Sequence, residues 1–501
     1  MQTGVNGIST EYRNDETETS VRYAARILLA PAEAVGAEHI DLAPREHSVH
    51  LSILGGGAAG LAVGFYGRRQ GLTSTVYEAA ERIGGHCATI RQGDFRFDLG
   101  AHRFHDRDPD ITEDVMAIMG ADLATLRIPS KIYGNEAFID FPLSTANLLK
   151  TFGFARLARA GLDVLTQRLT TQGSRLTTFE QFARYKYGRD ISRRFVLDYS
   201  EKLWGIGCDQ LSPLVSGNRF RGLTLSSLFL ELLSGRSSRS THLDGSFLYP
   251  KHGFGAIIER LALDCDDTSI CLNSRVSAIF HDGQHVEAVE INGRTRVDVD
   301  HVVSTLPLPY LLRIMKPAPS QGILDAAGHL GFRDLILVTL MVKQRTLTSV
   351  GSLYFPDPQI PFTRISEPKN RSPLMAPTDQ TSLLVEVPCR PGEHVAEEGD
   401  NGLVSIVSVA LSRLGLLAER DITDAYVFRT AQAYPILTVG VDAIVHRMLS
   451  YLGRFGNLSV VGRNARFEYL HLHEVMRRGK NLVATLLAVS GGEARTCARP
   501  L

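Results

Sequence analysis

The sequence predicts an α/β protein built on a discontinuous, Rossmann-like dinucleotide-binding domain, with a mainly helical insertion and a mixed-sheet substrate domain. Three observations predict it. A short apolar strand beginning at Val49 runs into a glycine-rich turn and then a helix. Residues 145–235 are rich in Leu, Phe, Ala and Arg with few turn signals, and strand-like alternation returns at 274–307. A βαβ start, inserted helices and a late return to strands suit a parallel sheet whose pieces are scattered along the chain.

The first element is the most informative. In HLSILGGGAAGLAVGFYGRRQGLTSTVYEAAERIGGHCATI, residues 50–90, Leu51 and Ile53 continue from Val49 an alternation of apolar with polar or small residues. Gly55, Gly57 and Gly60 then satisfy G-x-G-x-x-G. The first glycine permits the tight turn, the second lets backbone approach a pyrophosphate, and the third allows close helix–strand packing. Phosphate charge would sit at the helix N-terminus, where free N–H groups and the macrodipole favour it. TSTVY, residues 73–77, reads as the second strand, and Glu78 ends it eighteen residues after Gly60, where an acid takes the ribose hydroxyls. A phosphorylated ribose would be repelled there. A lone glycine motif is often only a tight βα corner; strand, glycines, helix and acid in register point to a dinucleotide.

Composition narrows the partners. At 501 residues and 44% hydrophobic, the chain can bury a sizeable core in about two to four domains. Its 54 basic and 54 acidic residues cancel, and no Lys/Arg run forms a phosphate-binding stripe, so nucleic acid is not an expected partner. Cys87, Cys208, Cys265, Cys271, Cys389 and Cys497 are scattered without a C-x-x-C pair; no metal site or disulfide framework is expected, and a reducing cytoplasm fits. Residues 1–47 form an N-terminal extension without a signal-peptide pattern, expected to be disordered over about 1–20 and a short amphipathic helix at 21–35. No apolar run reaches the roughly 18 residues needed to span a bilayer, and so no transmembrane segment is expected. LTLSSLFLELL, residues 223–233, reads as an ordinary buried helix.

The later elements follow in order. DITEDVMAIMGADL, residues 110–123, has an acidic start and apolar residues at helical spacing. Residues 274–307 show three alternating runs separated by the hairpin signals DGQ and NGR, and a final run into STLP. Further strands are expected at 335–342 (LILVTLMV), 382–388 (SLLVEVP) and 458–461 (LSVV), and the tail closes as an apolar-faced helix. The resulting division gives a cofactor domain at 48–105, 245–305 and 455–495, a helical substrate or lid region at 106–244, and a substrate-binding sheet region at 306–454.

ERIGGH, residues 81–86, resembles the second glycine pair that FAD-containing amine oxidases and their relatives carry after the ribose acid, and this resemblance selects FAD. Five further motifs are GAHRFH (100–105), EKLWG (201–205), IPFTRI (360–365), AYP (433–435) and GRNARFEY (462–469). In order and spacing they resemble the UDP-galactopyranose mutase-like branch of the amine oxidase and protoporphyrinogen oxidase-like flavoproteins, over most of the chain beyond residue 48.

The resemblance implies roles position by position. Gly84, Gly85 and His86 would lie along the FAD pyrophosphate and ribityl chain, and Val276, Gly462 and Arg463 would also bind the cofactor. His102 would sit near the flavin face as a proton acceptor, the plainer reading being a hydrogen-bonded core histidine. Trp204, the single tryptophan, matches the mutases' mobile-loop tryptophan, which closes over the substrate's base; the plainer reading is a core aromatic. Arg364, grouped with His102 as catalytic, matches the arginine that in the mutases holds the substrate diphosphate, a task suited to a planar guanidinium. Tyr434 and Arg219 match other diphosphate-binding residues, Arg219 one residue out of register. The helix starting near residues 471–473 would point its N-terminus at the flavin carbonyl side. The chain also departs from the mutases in reading AYP where they carry YYP, and over 345–392, which resembles the oxidoreductase members.

Two chemistries follow from the resemblance. The favoured one is an FAD-dependent oxidoreductase, amine oxidase- or protoporphyrinogen oxidase-like, that moves a hydride from a small organic substrate, sugar-derived compounds included, to the flavin. The alternative is redox-neutral: N5 of reduced FAD attacks the anomeric carbon of a nucleotide sugar, with Arg364, Arg219, Tyr434 and Trp204 around its diphosphate. A flavin-stabilised scaffold without activity is a third reading, weakened by motifs beyond those that cofactor binding requires. The expected partner is a small molecule, anionic and nucleotide-sugar substrates included.

Overall fold

The computed structural model describes residues 49–134, 136–141, 145–170, 176–216, 246–263 and 268–497. The expectations for residues 1–47 and 223–233, and for Arg219, lie outside these residues.

A five-stranded, all-parallel sheet forms the centre, in the order Leu458–Val460, His301–Ser304, Leu51–Leu54, Ser74–Tyr77, Thr268–Cys271. The alternation around Leu51 suggested a strand covered on one face, yet all four residues of Leu51–Leu54 are buried. Both faces are covered, as parallel sheets require. Leu51, Ile53 and Val303 pack with the helices Ala58–Arg69, Gly255–Leu263 and Leu472–Cys497, while Leu54 and Val302 join the core on the opposite side. Small residues bring the first and last helices together: a Cβ on Gly479 would lie 3.3 Å from that of Ala62.

The alternating runs after residue 274 form an antiparallel meander, Val276–His281, Val286–Ile291 and Thr295–Asp298, with Met315–Lys316 added at its edge. Its second turn takes positive φ at both Asn292 (56°) and Gly293 (68°). That is the backbone a tight Asn-Gly hairpin needs.

A seven-stranded mixed sheet carries the other half. Its order is Ile422–Pro435, Phe332–Val342, Thr381–Cys389, Arg364–Ser366, Ser352–Tyr354, Ser130–Gly134, Ala137–Phe141. One face packs through Ile336, Val338 and Leu340 on Val407 and Leu411 of the helix Asp400–Arg413. On the other face Leu335, Leu337 and Leu384 meet Ile90, Phe97 and Leu99, next to the second glycine turn.

The stretch after residue 106 is less helical than its composition suggested. The expected helices occur at Pro109–Met119, Thr145–Thr170, Phe179–Tyr187 and Asp198–Trp204, but three five-residue strands, Leu123–Arg127, Ser130–Gly134 and Ala137–Phe141, intervene. Ala137–Phe141 buries only Ile139 and Leu123–Arg127 buries nothing fully, so neither shows a clear apolar period. Among the described residues no helix is long and apolar enough to cross a membrane.

Candidate functional site

The two glycine turns form a cradle walled by backbone. Gly55 adopts φ 111°, and a Cβ there would lie 2.2 Å from Thr305 Oγ1. A Cβ on Gly60 would lie 2.0 Å from the carbonyl oxygen of Gly55, so the helix rests directly on the turn. Gly57 differs: the nearest atom to its Cβ would be Gly85 Cα, at 3.9 Å. The space beside it is open. Gly57 pairs with Gly84 in an isolated parallel bridge, and Gly84 and Gly85 take φ 102° and 51°. Gly57 caps the helix Ala58–Arg69 with no side-chain acceptor, which leaves the first N–H groups of that helix to a ligand.

Gly462 and Glu78 border this cradle. Gly462 has φ 108°, and its Cβ would come within 2.9 Å of that of Ala59 at the start of the helix. Glu78 accepts from Gly56 N at 2.7 Å through one carboxylate oxygen and from Ala80 N at 2.8 Å through the other. Each oxygen keeps a lone pair for a hydroxyl donor. Val276, buried at the start of the meander, uses its carbonyl to accept from Tyr310 Oη at 2.8 Å. Two buried polar atoms, Asn464 Oδ1 and His473 Nδ1, have no protein partner. Open glycine backbone, an uncapped helix start and a carboxylate with spare acceptors fit a bound dinucleotide.

A second group lies where the mixed sheet meets the GAHRFH loop. Tyr354, Arg364 and Glu386 are register partners on three adjacent strands and share one face. Arg364 Nη2 donates to Glu386 Oε2 at 2.6 Å; the two side chains are 15% and 2% exposed. Glu386 Oε1 also accepts from Ala101 N at 3.0 Å. Burial is the largest single influence on Arg364 and opposes its charge, but Glu386, Tyr354, Tyr199 and Tyr434 together outweigh it and hold the guanidinium pKa well above its ordinary value. His102 Nε2 donates to the carbonyls of His86 at 2.8 Å and Leu99 at 3.2 Å, and its ring stacks on Phe254 at 5.0 Å. Burial lowers the pKa of His102 and pushes that of His86 down to about 4, so both rings are neutral at pH 7.

A third group is aromatic. Trp204 is 2% exposed and meets Tyr434 and Tyr469 edge-on, with ring centroids at 5.9 Å and 6.4 Å. The Arg463 guanidinium lies 4.9 Å from the Tyr434 ring and 4.5 Å from the Tyr469 ring. The structure therefore brings Trp204, Tyr434 and Arg463 together. It does not leave Trp204 on a free loop: Arg390 donates to the carbonyls of Trp204 at 3.3 Å and Gly205 at 2.6 Å, and Arg333 donates to that of Leu203 at 3.2 Å.

The family model described as flavin containing amine oxidoreductase matches residues 58–475. The chain belongs to this family. It is an FAD-dependent oxidoreductase. Among its relatives, the coproporphyrinogen III oxidase of Bacillus subtilis (strain 168) is 20% identical over 472 residues, covering 87% of this chain and 98% of its own. The coproporphyrinogen III oxidase of Staphylococcus aureus (strain NCTC 8325 / PS 47) is 22% identical over 471 residues, covering 87% and 99%. The crystal structure of a reduced UDP-galactopyranose mutase shares the fold with a TM-score of 0.77 at 20% identity, over 88% of this chain and 96% of that one.

Within this flavoenzyme, sequence reading passed over Glu386, Arg333, Arg390 and Lys202. Glu386 had a usable signal: it is the one charged residue in the otherwise apolar and buried run SLLVEVP. A fully buried acid needs a partner.

Proposed function

We propose that this flavoenzyme oxidises a C–H bond of a small organic substrate held between the Arg364–Glu386 pair and the Trp204–Tyr434 wall. Bound FAD supplies the hydride acceptor, and the electrons leave to oxygen or another acceptor. The observation that carries this reading is the charge balance of Arg364. The charge of its guanidinium is already matched by a buried carboxylate, itself fixed by Ala101 N, so a diphosphate there would compete with Glu386.

In this reading each residue has a stated task. Gly57, Gly84 and Gly85 let the cofactor's phosphates approach backbone, Glu78 takes ribose hydroxyls, and Arg463 faces the cofactor from between its two tyrosines. Arg364 and Glu386 hold the Ala101 backbone in place beside the ring. His102, whose Nε2 hydrogen is spent on two carbonyls, has Nδ1 left to take a proton. Trp204 and Tyr434 exclude water on the substrate side.

Coproporphyrinogen III is the first substrate to test, since the two relatives named above carry it in their names. An anaerobic titration of the oxidised holoenzyme should bleach the flavin as substrate is added. The second reading, a redox-neutral conversion of a nucleotide sugar, is favoured by the convergence of Trp204, Tyr434 and Arg463. Turnover of UDP-galactopyranose by dithionite-reduced enzyme, with no net electron transfer and no bleaching of the oxidised flavin by coproporphyrinogen III, would replace the first reading with the second.

A further inference from the structure

The helix that ends in Trp204 also carries Lys202, which none of these roles uses. Its ammonium donates to the carbonyl oxygens of Phe362 at 2.6 Å, Asp357 at 2.7 Å and Phe355 at 2.9 Å. An ammonium has three hydrogens, and all three are engaged. The acceptors lie on one loop, the connection between the strands Ser352–Tyr354 and Arg364–Ser366. Phe355 directly follows Tyr354, and Phe362 precedes Arg364 by two residues.

The loop needs such a tie. Phe355 and Phe362 are anchored in the core, but Asp357, Gln359 and Ile360 line a surface cleft of about 970 Å³ together with Phe195 and Arg413. Tyr354 and Arg364 are register partners in the hairpin, so a shift of the loop moves both. The same C-terminal end of the helix is held beside the mixed sheet by Arg333 and Arg390, through the carbonyls of Leu203, Trp204 and Gly205. One short helix thus joins Trp204 to the hairpin that carries Arg364.

We infer that Lys202 is a positioning residue that sets the place of Arg364 and Tyr354 by holding the 355–363 loop against the Trp204 helix. This rests on the reading that Arg364 borders the substrate. A point charge with three hydrogens directed at three converging carbonyls cannot be replaced by a planar guanidinium without moving the loop.

The test uses full-length holoenzyme and the Lys202→Met variant, which keeps the apolar stem and removes the donors. Amide hydrogen exchange over residues 355–364 should quicken at least about 10-fold while that of 381–389 is unchanged, and unaltered exchange at 355–364 overturns the inference. Anaerobic flavin reduction by coproporphyrinogen III is then measured in a cycle with Arg364→Ala. Lys202→Met should lower kcat/KM about 10- to 100-fold in the native background and less than about 2-fold beside Arg364→Ala. An equal loss in both backgrounds shows that Lys202 does not act through Arg364 and overturns the inference. If Arg364→Ala alone changes nothing, the reading of Arg364 fails and takes this inference with it; if Arg364→Ala is costly and Lys202→Met is silent, only the inference fails. Should Lys202→Met lose its flavin or its fold, Lys202→Arg is carried through the same exchange and kinetic measurements with the same expectations.

Discussion

Gly57→Val and Gly60→Ala separate holding the cofactor from building the fold. Gly57 has φ −80° and ψ −175°, a backbone open to any residue, and its Cβ would meet nothing nearer than 3.9 Å. The cost of valine to the empty fold is that of a poorer helix N-cap, about 1 kcal/mol. The same branched side chain fills the opening between the two glycine turns, where phosphate has to approach. We expect FAD affinity to fall by at least about 100-fold, or ~2.7 kcal/mol. Gly60 behaves in the opposite way. Its Cβ would lie 2.0 Å from Gly55 O and 3.0 Å from Ile53 Cγ2, atoms of a buried strand and turn that cannot swing aside. Lifting the helix to relieve this is overpacking, on the order of 1–3 kcal/mol or more even without cofactor. The assay is the flavin-to-protein absorbance ratio of the purified variants, followed by urea unfolding of flavin-stripped forms. Stripping matters because bound flavin itself stabilises the native state. Gly57→Val should be colourless and nearly as stable as the stripped parent, and Gly60→Ala should be destabilised in the stripped form. A stoichiometrically yellow Gly57→Val protein would refute the cradle reasoning.

Two further outcomes follow. His86 is lowered from the ordinary 6.5 to about 4 by burial, so as pH falls through this window the unfolded chain gains a proton that the folded chain refuses. Stability contributed by the neutral ring is complete above pH 6.5 and is lost on acidification toward 4; urea midpoints of the stripped protein should drop across that range, less steeply in His86→Gln, and identical slopes would discount His86. Trp204 is the only tryptophan, so its emission reports on one place. Adding FAD to stripped protein should quench it by energy transfer to the flavin, and equal emission with and without FAD would remove Trp204 from the site.

Local features of the fold were legible and long-range ones were not. The glycine turn, the strand before it and Glu78 fall within a stretch of 28 residues from Leu51 to Glu78, and each imposes its own residue type. The strands at Phe332–Val342 and Thr381–Cys389 are long runs of branched apolar residues, which have few other uses. Glu386 is different: its partners Arg364 and Ala101 lie 22 and 285 residues away. The cations around Trp204 bond to backbone carbonyls, across 153 to 160 residues for Lys202 and 185 to 186 for Arg390. A carbonyl acceptor is the same in every residue, so a contact of this kind leaves no mark on the acceptor's sequence. Convergence of Trp204 and Tyr434 was implied by a resemblance and by no local pattern, and the arrival of Arg463 beside them by neither.

The buried Glu386 carboxylate bears on which substrates this fold can accept. Its carboxylate pairs with Arg364 and accepts from the Ala101 N–H, and at 2% exposure water does little to screen it. An anionic group about 5 Å from Glu386 would meet a repulsion of roughly 3 kcal/mol per charge at an effective dielectric of about 20, which offsets its attraction to Arg364. Glu386→Gln keeps the shape and removes the charge. Breaking the buried pair should cost stability on the order of 3–5 kcal/mol, since the guanidinium is left uncompensated. The same variant should bind UDP or inorganic pyrophosphate more tightly than the parent, because Arg364 then needs an anion. If the parent already binds UDP-galactopyranose tightly and Glu386→Gln weakens that binding, Glu386 does not block the guanidinium, and the case for an uncharged reacting group beside Arg364 collapses.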